Sequence, residues 1–129
     1  MATHVGTSGV VKVGSDLVAE VTGFTIDESA DVVEDSQLTD TSKSYKVLRS
    51  DATGTVECHW DETDTTGQTA LAVGSSVTLN LYPEGEASGD TYYTGTALVT
   101  GVSQNVSLDG VISRTITVQF SGGVSTTTV

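Results

Sequence analysis

The chain is short of several things, and each shortage removes a class of function. It has one cysteine, Cys58, so no internal disulfide can form. Cys58 falls on the apolar side of a strand pattern in an acidic neighbourhood. That reads as a buried, reduced thiol packing as a small hydrophobe, since a reactive thiol needs an exposed, electropositive setting. Histidine is limited to His4 and His59, with no ligand-spaced Cys or His partners, which argues against a zinc site. There is no phosphate-binding glycine loop, nucleophile elbow or EF-hand spacing. Aromatics make up 5%, with a single Trp, too few to line a sugar-binding groove. Bases are scarce: five against 17 acids, for a net charge of −12. Such a surface repels nucleic acid and anionic membranes. No apolar run approaches the length of a membrane helix, and the opening MATHVGTSG has neither the basic nor the apolar region of a signal peptide. The sequence therefore reads as a soluble product of a cytosol. Proline is also scarce, with one residue.

What is present favours strands and turns. The 129 residues suit one domain and include 22 Thr, 15 Ser and 14 Gly. The most informative stretch is Thr53 to Gly85. Val56, Cys58 and Trp60 alternate with Thr55, Glu57 and His59, the period of a half-buried strand. Asp61, Glu62 and Asp64 follow, and the pattern predicts a short helix over about Thr65 to Val73, stopped by Gly74. The three acids read as a helix-start cluster rather than a calcium site, because calcium takes six to eight oxygens. Val77, Leu79 and Leu81 then alternate with Thr78, Asn80 and Tyr82 in a second strand that ends at Pro83.

Upstream, residues 1–8 read as a flexible polar arm. Gly9 to Val13 and Leu17 to Val21 pattern as a hairpin around Gly14-Ser15. Its second strand is expected to continue to Ile26 with a bulge at Gly23, where the apolar parity shifts. Residues 31–52 read as a long polar loop, acidic at its start and holding three of the five bases (Lys43, Lys46 and Arg49) at its end. Loops of that length are often functional; the alternative is a solvated connection. Downstream, Thr91 to Leu108 and Val111 to Phe120 flank Asp109-Gly110, a type I′ turn signal. Ile112, Ile116, Val118 and Phe120 share one face; Ser113, Thr115, Thr117 and Gln119 share the other. Arg114 interrupts the apolar side, so it either lies near a strand end or meets a carboxylate. Residues 121–129 read as a frayed tail.

Taken in order, GVVKVGSDLVAEVTGFTID, the long loop, TGTVECHWDETDTTGQTAL, VTLNLYPEG and the closing TGTALVTGVSQNVSLDGVISRTITVQFSG resemble the tail tube (major tail) proteins of long-tailed bacteriophages and phage-derived gene transfer particles. The likeness covers nearly the whole chain, and Gly54 to Leu71 is its most specific part. The resemblance implies a mainly β domain over residues 1–129, a β-sandwich or open barrel of two packed antiparallel sheets with one short helix. It implies a structural role rather than an enzymatic one, with no cofactor. Six copies would form a ring, and stacked rings a hollow tube carrying DNA from capsid to cell without binding it specifically. Other partners implied are tape measure, baseplate or distal tail, and terminator proteins, in a virion tail made in the host cytoplasm. The long loop would reach the adjacent ring through Lys43, Tyr45, Lys46, Val47, Leu48 and Arg49. Glu20, Thr22, Ser113, Thr115, Thr117 and Gln119 would face the lumen, with the opposite face of each hairpin as the alternative. Two rival readings are a phage decoration or adhesin-like β-sandwich and the related tube protein of type VI secretion.

Overall fold

The computed structural model of the chain describes residues 6, 9–61, 63–108 and 110–129. Seven strands run in the order β1 (Val10–Val13), β2 (Asp16–Leu17), β3 (Val21–Glu34), β4 (Tyr45–His59), β5 (Ser76–Tyr82), β6 (Thr91–Asn105) and β7 (Ser113–Thr128). All pairings are antiparallel, in one sheet of order β2-β1-β5-β6-β7-β4-β3. The fold is mainly β, as expected. Its strands form a single curled sheet that is not closed, so it follows the open-barrel form rather than two separately bonded sheets.

The curl brings the first and last strands of the sheet together. Only residues 18–20 separate β2 from β3, which lie at opposite edges. The Val18 N–H donates to the Val11 carbonyl at 2.9 Å, and the His59 N–H donates to the Glu20 carbonyl at 2.9 Å. Inside, alternate residues of β4, β5, β6 and β7 meet Val11 of β1 in one core: Val11, Val56, Cys58, Leu79, Leu81, Ala97, Val99, Ile116, Val118 and Phe120 are buried, with Val21, Phe24 and Ile26 of β3 half-buried against them. The alternations read at 56–58, 79–81 and 116–120 are therefore real strand faces. Trp60 departs from its set, because β4 ends at His59 and Trp60 stands at the surface with its N–H bonded to the Ile112 carbonyl.

Several expectations are corrected. Among the described residues there is no α-helix over 65–73; the segment is a run of turns. Thr65, Thr66 and Gly67 are poor helix formers. The Asp64 carboxylate takes the N–H groups of Gly67 at 3.2 Å and Gln68 at 3.0 Å, as at a helix start, but no helical ladder follows: the Thr69 N–H reaches back to the Asp64 carbonyl at 3.1 Å and the Leu71 N–H to the Gln68 carbonyl at 3.2 Å. Gly74, expected to stop that helix, instead turns the chain toward β5, with φ of 86° and its N–H on the Val99 carbonyl. The loop of 31–52 is mostly a β-hairpin: β3 continues to Glu34 and pairs with Tyr45, leaving 35–44 as the connection. The closing hairpin has no two-residue turn, since pairing stops at Asn105 and Ser113; Asp109 itself lies outside the described residues. The tail is also paired, as Ser125 to Thr128 bond to Thr91 to Thr94 across β6. Gly122 and Gly123, with φ of 83° and 89°, let β7 bend to follow β6 there.

At the front of the molecule, Gly14 sits at φ 63° in the turn between β1 and β2, but β2 does not run on into β3. The chain instead turns through Glu20, at φ 57°, and starts β3 on the far edge. The bulge expected at Gly23 is present: the register shifts between Val21 and Gly23. Of the arm expected over residues 1–8, only Gly6 is described, and it is exposed.

Candidate assembly surface

The corner where the two sheet edges meet is built from buried polar groups. Gln68, 1% exposed, donates through Nε2 to the carbonyls of Ala19 (2.8 Å) and His59 (2.7 Å) and accepts through Oε1 from the Asp61 N–H (2.9 Å). Asp64 Oδ2 accepts from the Ala19 N–H at 2.8 Å. Gly67 must be glycine, because a Cβ there would stand 2.8 Å from the Leu17 carbonyl oxygen and the Val18 Cα. Asp61 Oδ1 accepts from the backbone N–H and hydroxyl of Thr63. The described acids of this segment thus serve turns and the corner; Glu62 lies outside the described residues.

The opposite side of the sheet is polar. Because Val56, Ile116 and Val118 point in, their neighbours point out. Thr25, Thr55 and Thr117 lie side by side across β3, β4 and β7. Below them Glu57, Thr115 and Ser103 align across β4, β7 and β6, and above them Asp27, Thr53, Gln119 and Leu98 align across all four strands. Gln119 is tied to β4 through Nε2, which bonds the Ala52 carbonyl at 3.0 Å and the Asp51 carboxylate. The Thr100 hydroxyl bonds the Thr117 carbonyl at 3.3 Å. Of the six residues expected on one wall, Thr115, Thr117 and Gln119 share this face. Ser113 begins β7 at its lower end, while Glu20 and Thr22 sit beside it at the start of β3, where the Thr22 hydroxyl bonds the Glu57 carbonyl at 3.1 Å. Arg114, second in β7, is near a strand end as one of the two expectations had it, and its Nε is buried with no hydrogen-bond partner among the described residues.

Both ends of this four-stranded layer offer free backbone. Among the described residues β3 pairs with β4 alone along its whole length, and β6 beyond Val99, whose N–H and carbonyl are taken by Ser75 and Gly74, pairs with β7 alone. Unpaired edges of this length template further strands. The sequence pattern places the β6 strand, within Thr91 to Leu108, but not the long β3 edge, since it ends that strand at Ile26.

Tyr45, Lys46, Val47, Leu48 and Arg49 lie on strand β4 rather than in a loop, and Lys43 lies in the 35–44 connection before them; all six are exposed at the upper end of the β3–β4 hairpin. Lys46 Nζ lies 3.7 Å from an Asp35 carboxylate oxygen across the hairpin. At its root, Glu28 to Ala30, Ser50 to Ala52 and Gly122 to Ser125 line an open groove where the hairpin and β7 diverge.

Neither a protein-family model nor a curated protein matches the sequence. Solved structures do. A chain from the tail of an empty gene transfer agent particle with C6 symmetry matches with a TM-score of 0.77 at 15% identity, over 97% of this chain and 99% of that one. A chain from the sheath/tube terminator of an extracellular contractile injection system gives 0.77 at 11% identity, over 98% of both. The SPP1 tail tube gives 0.72 at 9% identity, over 98% of this chain and 80% of that one. The chain therefore has the tail-tube fold.

Proposed function

We propose that this chain is the structural subunit of a tail tube, assembling through its sheet edges into rings that stack around a lumen. The observation that carries the reading is the four-stranded layer β6-β7-β4-β3, with a free edge at each end and a polar outer face. Its strands alternate in direction, so β3 and β6 run opposite ways. A rotated copy can therefore place its lower β6 edge, Gly101 to Asn105, against β3 and continue the antiparallel ladder without a break. Repetition closes the layer into a barrel and removes the edges. Six copies per ring are supported by the six-fold symmetry of the gene transfer agent tail that shares this fold.

In that barrel the face of Thr25, Thr55, Glu57, Thr115, Thr117 and Gln119 lines the channel, with Glu20, Thr22 and Ser113 at its lower rim. A lining of hydroxyls, amides and carboxylates repels a passing duplex, which carries one charge per roughly 1.7 Å, and so lets it slide. The chain then belongs to a virion tail and conducts DNA. Tape measure, terminator and distal tail proteins are its further partners, and it needs no cofactor. The fold shared with a contractile injection system supports a second reading, the same tube carrying protein cargo. Negative-stain and cryo-electron microscopy of concentrated protein test the proposal. Rings or hollow tubes are expected, with Thr115, Thr117 and Gln119 on the inner wall. A protein that stays monomeric at high concentration sinks the tube; tubes with these side chains facing outward sink the lumen assignment. Nucleic acid inside tubes assembled on native particles separates the DNA conduit from the injection tube.

A further inference from the structure

Above the core, β4 and β7 separate. Their pairing runs from His59 opposite Ser113 to Thr53 opposite Gln119 and stops. Beyond that point, among the described residues, Tyr45 to Ala52 of β4 pair only with β3, and Ser121 to Thr128 of β7 pair only with β6. Two features hold the fork open. Gly122 and Gly123, at φ of 83° and 89°, turn β7 away. The Gln119 amide fills the apex, donating to the Ala52 carbonyl at 3.0 Å and to the Asp51 carboxylate. Between the strands lies an open groove of about 530 Å³, walled by Ser50–Ala52 on β4 and Gly122–Ser125 on β7 and flanked by Glu28–Ala30 on β3.

Two strand edges facing each other across a groove form a slot for one more strand, since both still offer backbone N–H and carbonyl groups. The lining narrows what can enter. Its side chains are mostly small, and its charged groups are both acids, Glu28 and Asp51. A strand of small residues without acids fits; an acidic one meets like charge at strand spacing. Residues 1–5, outside the described part, meet that requirement. Met1, Ala2, Thr3, His4 and Val5 include no acid, in a chain of 17 acids whose first is Asp16.

Their place in the chain also fits. Gly6 lines a pocket with Pro83 and with Val21 to Phe24 of β3. Phe24 lies four residues from Glu28 along the same strand, about 13 Å at 3.3 Å per residue. Five extended residues span about 17 Å. A segment that leaves Gly6 along β3 therefore reaches the groove.

We propose that Met1–Val5 lies extended in this groove, in the same chain, as an added strand antiparallel to β7 and parallel to β4. The β3–β4 hairpin beyond Thr53 is otherwise held by its own two strands, an arrangement marginal in water. The added strand ties the root of that hairpin to the rest of the sheet. The inference concerns one subunit and stands apart from whether subunits form a tube.

Hydrogen–deuterium exchange of the dilute subunit tests it, comparing the unmodified chain with a deletion of Ala2–Val5 and with Thr3→Pro, which keeps the length but removes an N–H. In both variants the amides of Asp51, Ala52 and Gly122–Ser125 are expected to exchange at least tenfold faster, with those of Thr115–Val118 unchanged. Independently, Thr3→Cys/Ser50→Cys in a Cys58→Ala background should link within one chain through a short bismaleimide, in higher yield folded than in urea. A mixture of the two single variants should give no linked dimer. Unchanged exchange in both variants, or a folded yield no higher than the unfolded one, overturns the proposal. Linked dimers from the mixture overturn it too, by giving the groove to a second copy.

Discussion

Replacing Gln68 by alanine should unfasten the corner where the sheet nearly closes. The side chain is 1% exposed and makes three hydrogen bonds, to the Ala19 and His59 carbonyls and from the Asp61 N–H. Each is worth about 0.5–1.5 kcal/mol net when the stranded groups can rehydrate, and about 1–3 kcal/mol when they stay dry. Ala19, His59 and Asp61 are half-buried, so water reaches them once the side chain is gone and the lower range applies. The expected loss is about 3 kcal/mol, or roughly 10 °C in Tm for a domain of this size. Gln68→Glu is the sharper comparison: it keeps the volume but turns both donors into a carboxylate facing two carbonyls, and it should cost at least as much at neutral pH. Urea unfolding followed by the fluorescence of Trp60, the single tryptophan, reads both. Thr117→Ala, on the exposed outer face, serves as the reference. A Gln68→Ala loss below about 1 kcal/mol, or one equal to that of Thr117→Ala, would refute the claim that this amide holds the edges together.

Ile116, 0% exposed at the middle of β7, should cost about 2–5 kcal/mol as Ile116→Ala in the same unfolding assay. Burial pushes the Cys58 thiol up from its ordinary value of 9.0, opposed by the Arg114 charge and aided by Asp64. The folded chain therefore holds this proton more tightly than the unfolded chain. The contribution to stability is full below pH 9 and fades as the pH rises through the folded value, so wild type should lose its stability margin over Cys58→Ala at alkaline pH; parallel stability curves from pH 7 to 11 would contradict this. Glu20 holds a φ of 57°, costly for an L-residue, and Glu20→Gly should gain about 0.5–1 kcal/mol, measured as a higher urea midpoint. Asp27→Asn/Glu28→Gln/Asp31→Asn should divert assembly into irregular, thioflavin-positive aggregates, and an unchanged tube yield without them would count against a protective role for these acids.

Much of the core was readable because one face of each strand is buried. Where Val56 and Cys58, Leu79 and Leu81, or Ile116, Val118 and Phe120 alternate with polar residues, period two is enforced by packing. The hairpin over 31–52 escaped for the same reason. Its two faces are both exposed, so Val32, Val33, Val47 and Leu48 follow no inside–outside rule and the segment reads as polar loop. The helix over 65–73 failed on contacts that no local pattern carries: Asp64 and Gln68 are drawn across to Ala19 and His59, and the Thr69 N–H closes a wide turn on the Asp64 carbonyl instead of a helical one. At the closing hairpin the core overrode the turn signal. Ala97 and Val99 must face inward beside Phe120 and Val118, and the register shift between Val99 and Gly101 carries the pairing to Asn105 and Ser113. That pairing is one residue out of step with a turn centred on Asp109-Gly110. The outer face was half legible, since Thr115, Thr117 and Gln119 followed from β7 alone, whereas Thr25, Thr55 and Glu57 join them only through cross-strand register.

The two free edges differ in a way that selects how copies join. β3 carries Asp27, Glu28, Asp31 and Glu34, and no base. β6 carries no charged residue from Thr91 to Asn105. Pairing β3 with another β3 would bring acids against acids, and opposed like charges destabilise a ladder. Screening over about 8 Å at physiological salt leaves that repulsion in force at strand spacing, about 4.8 Å. Pairing β6 with β6 meets no such charge, but it uses the same edge of both copies and so stops at a two-fold dimer with β3 still open. The remaining combination, acidic β3 against neutral β6, avoids the repulsion and preserves the antiparallel alternation. A net charge of −12 keeps free subunits apart, and the uneven placement of that charge on the edges leaves one lateral junction open: the one that repeats around a ring.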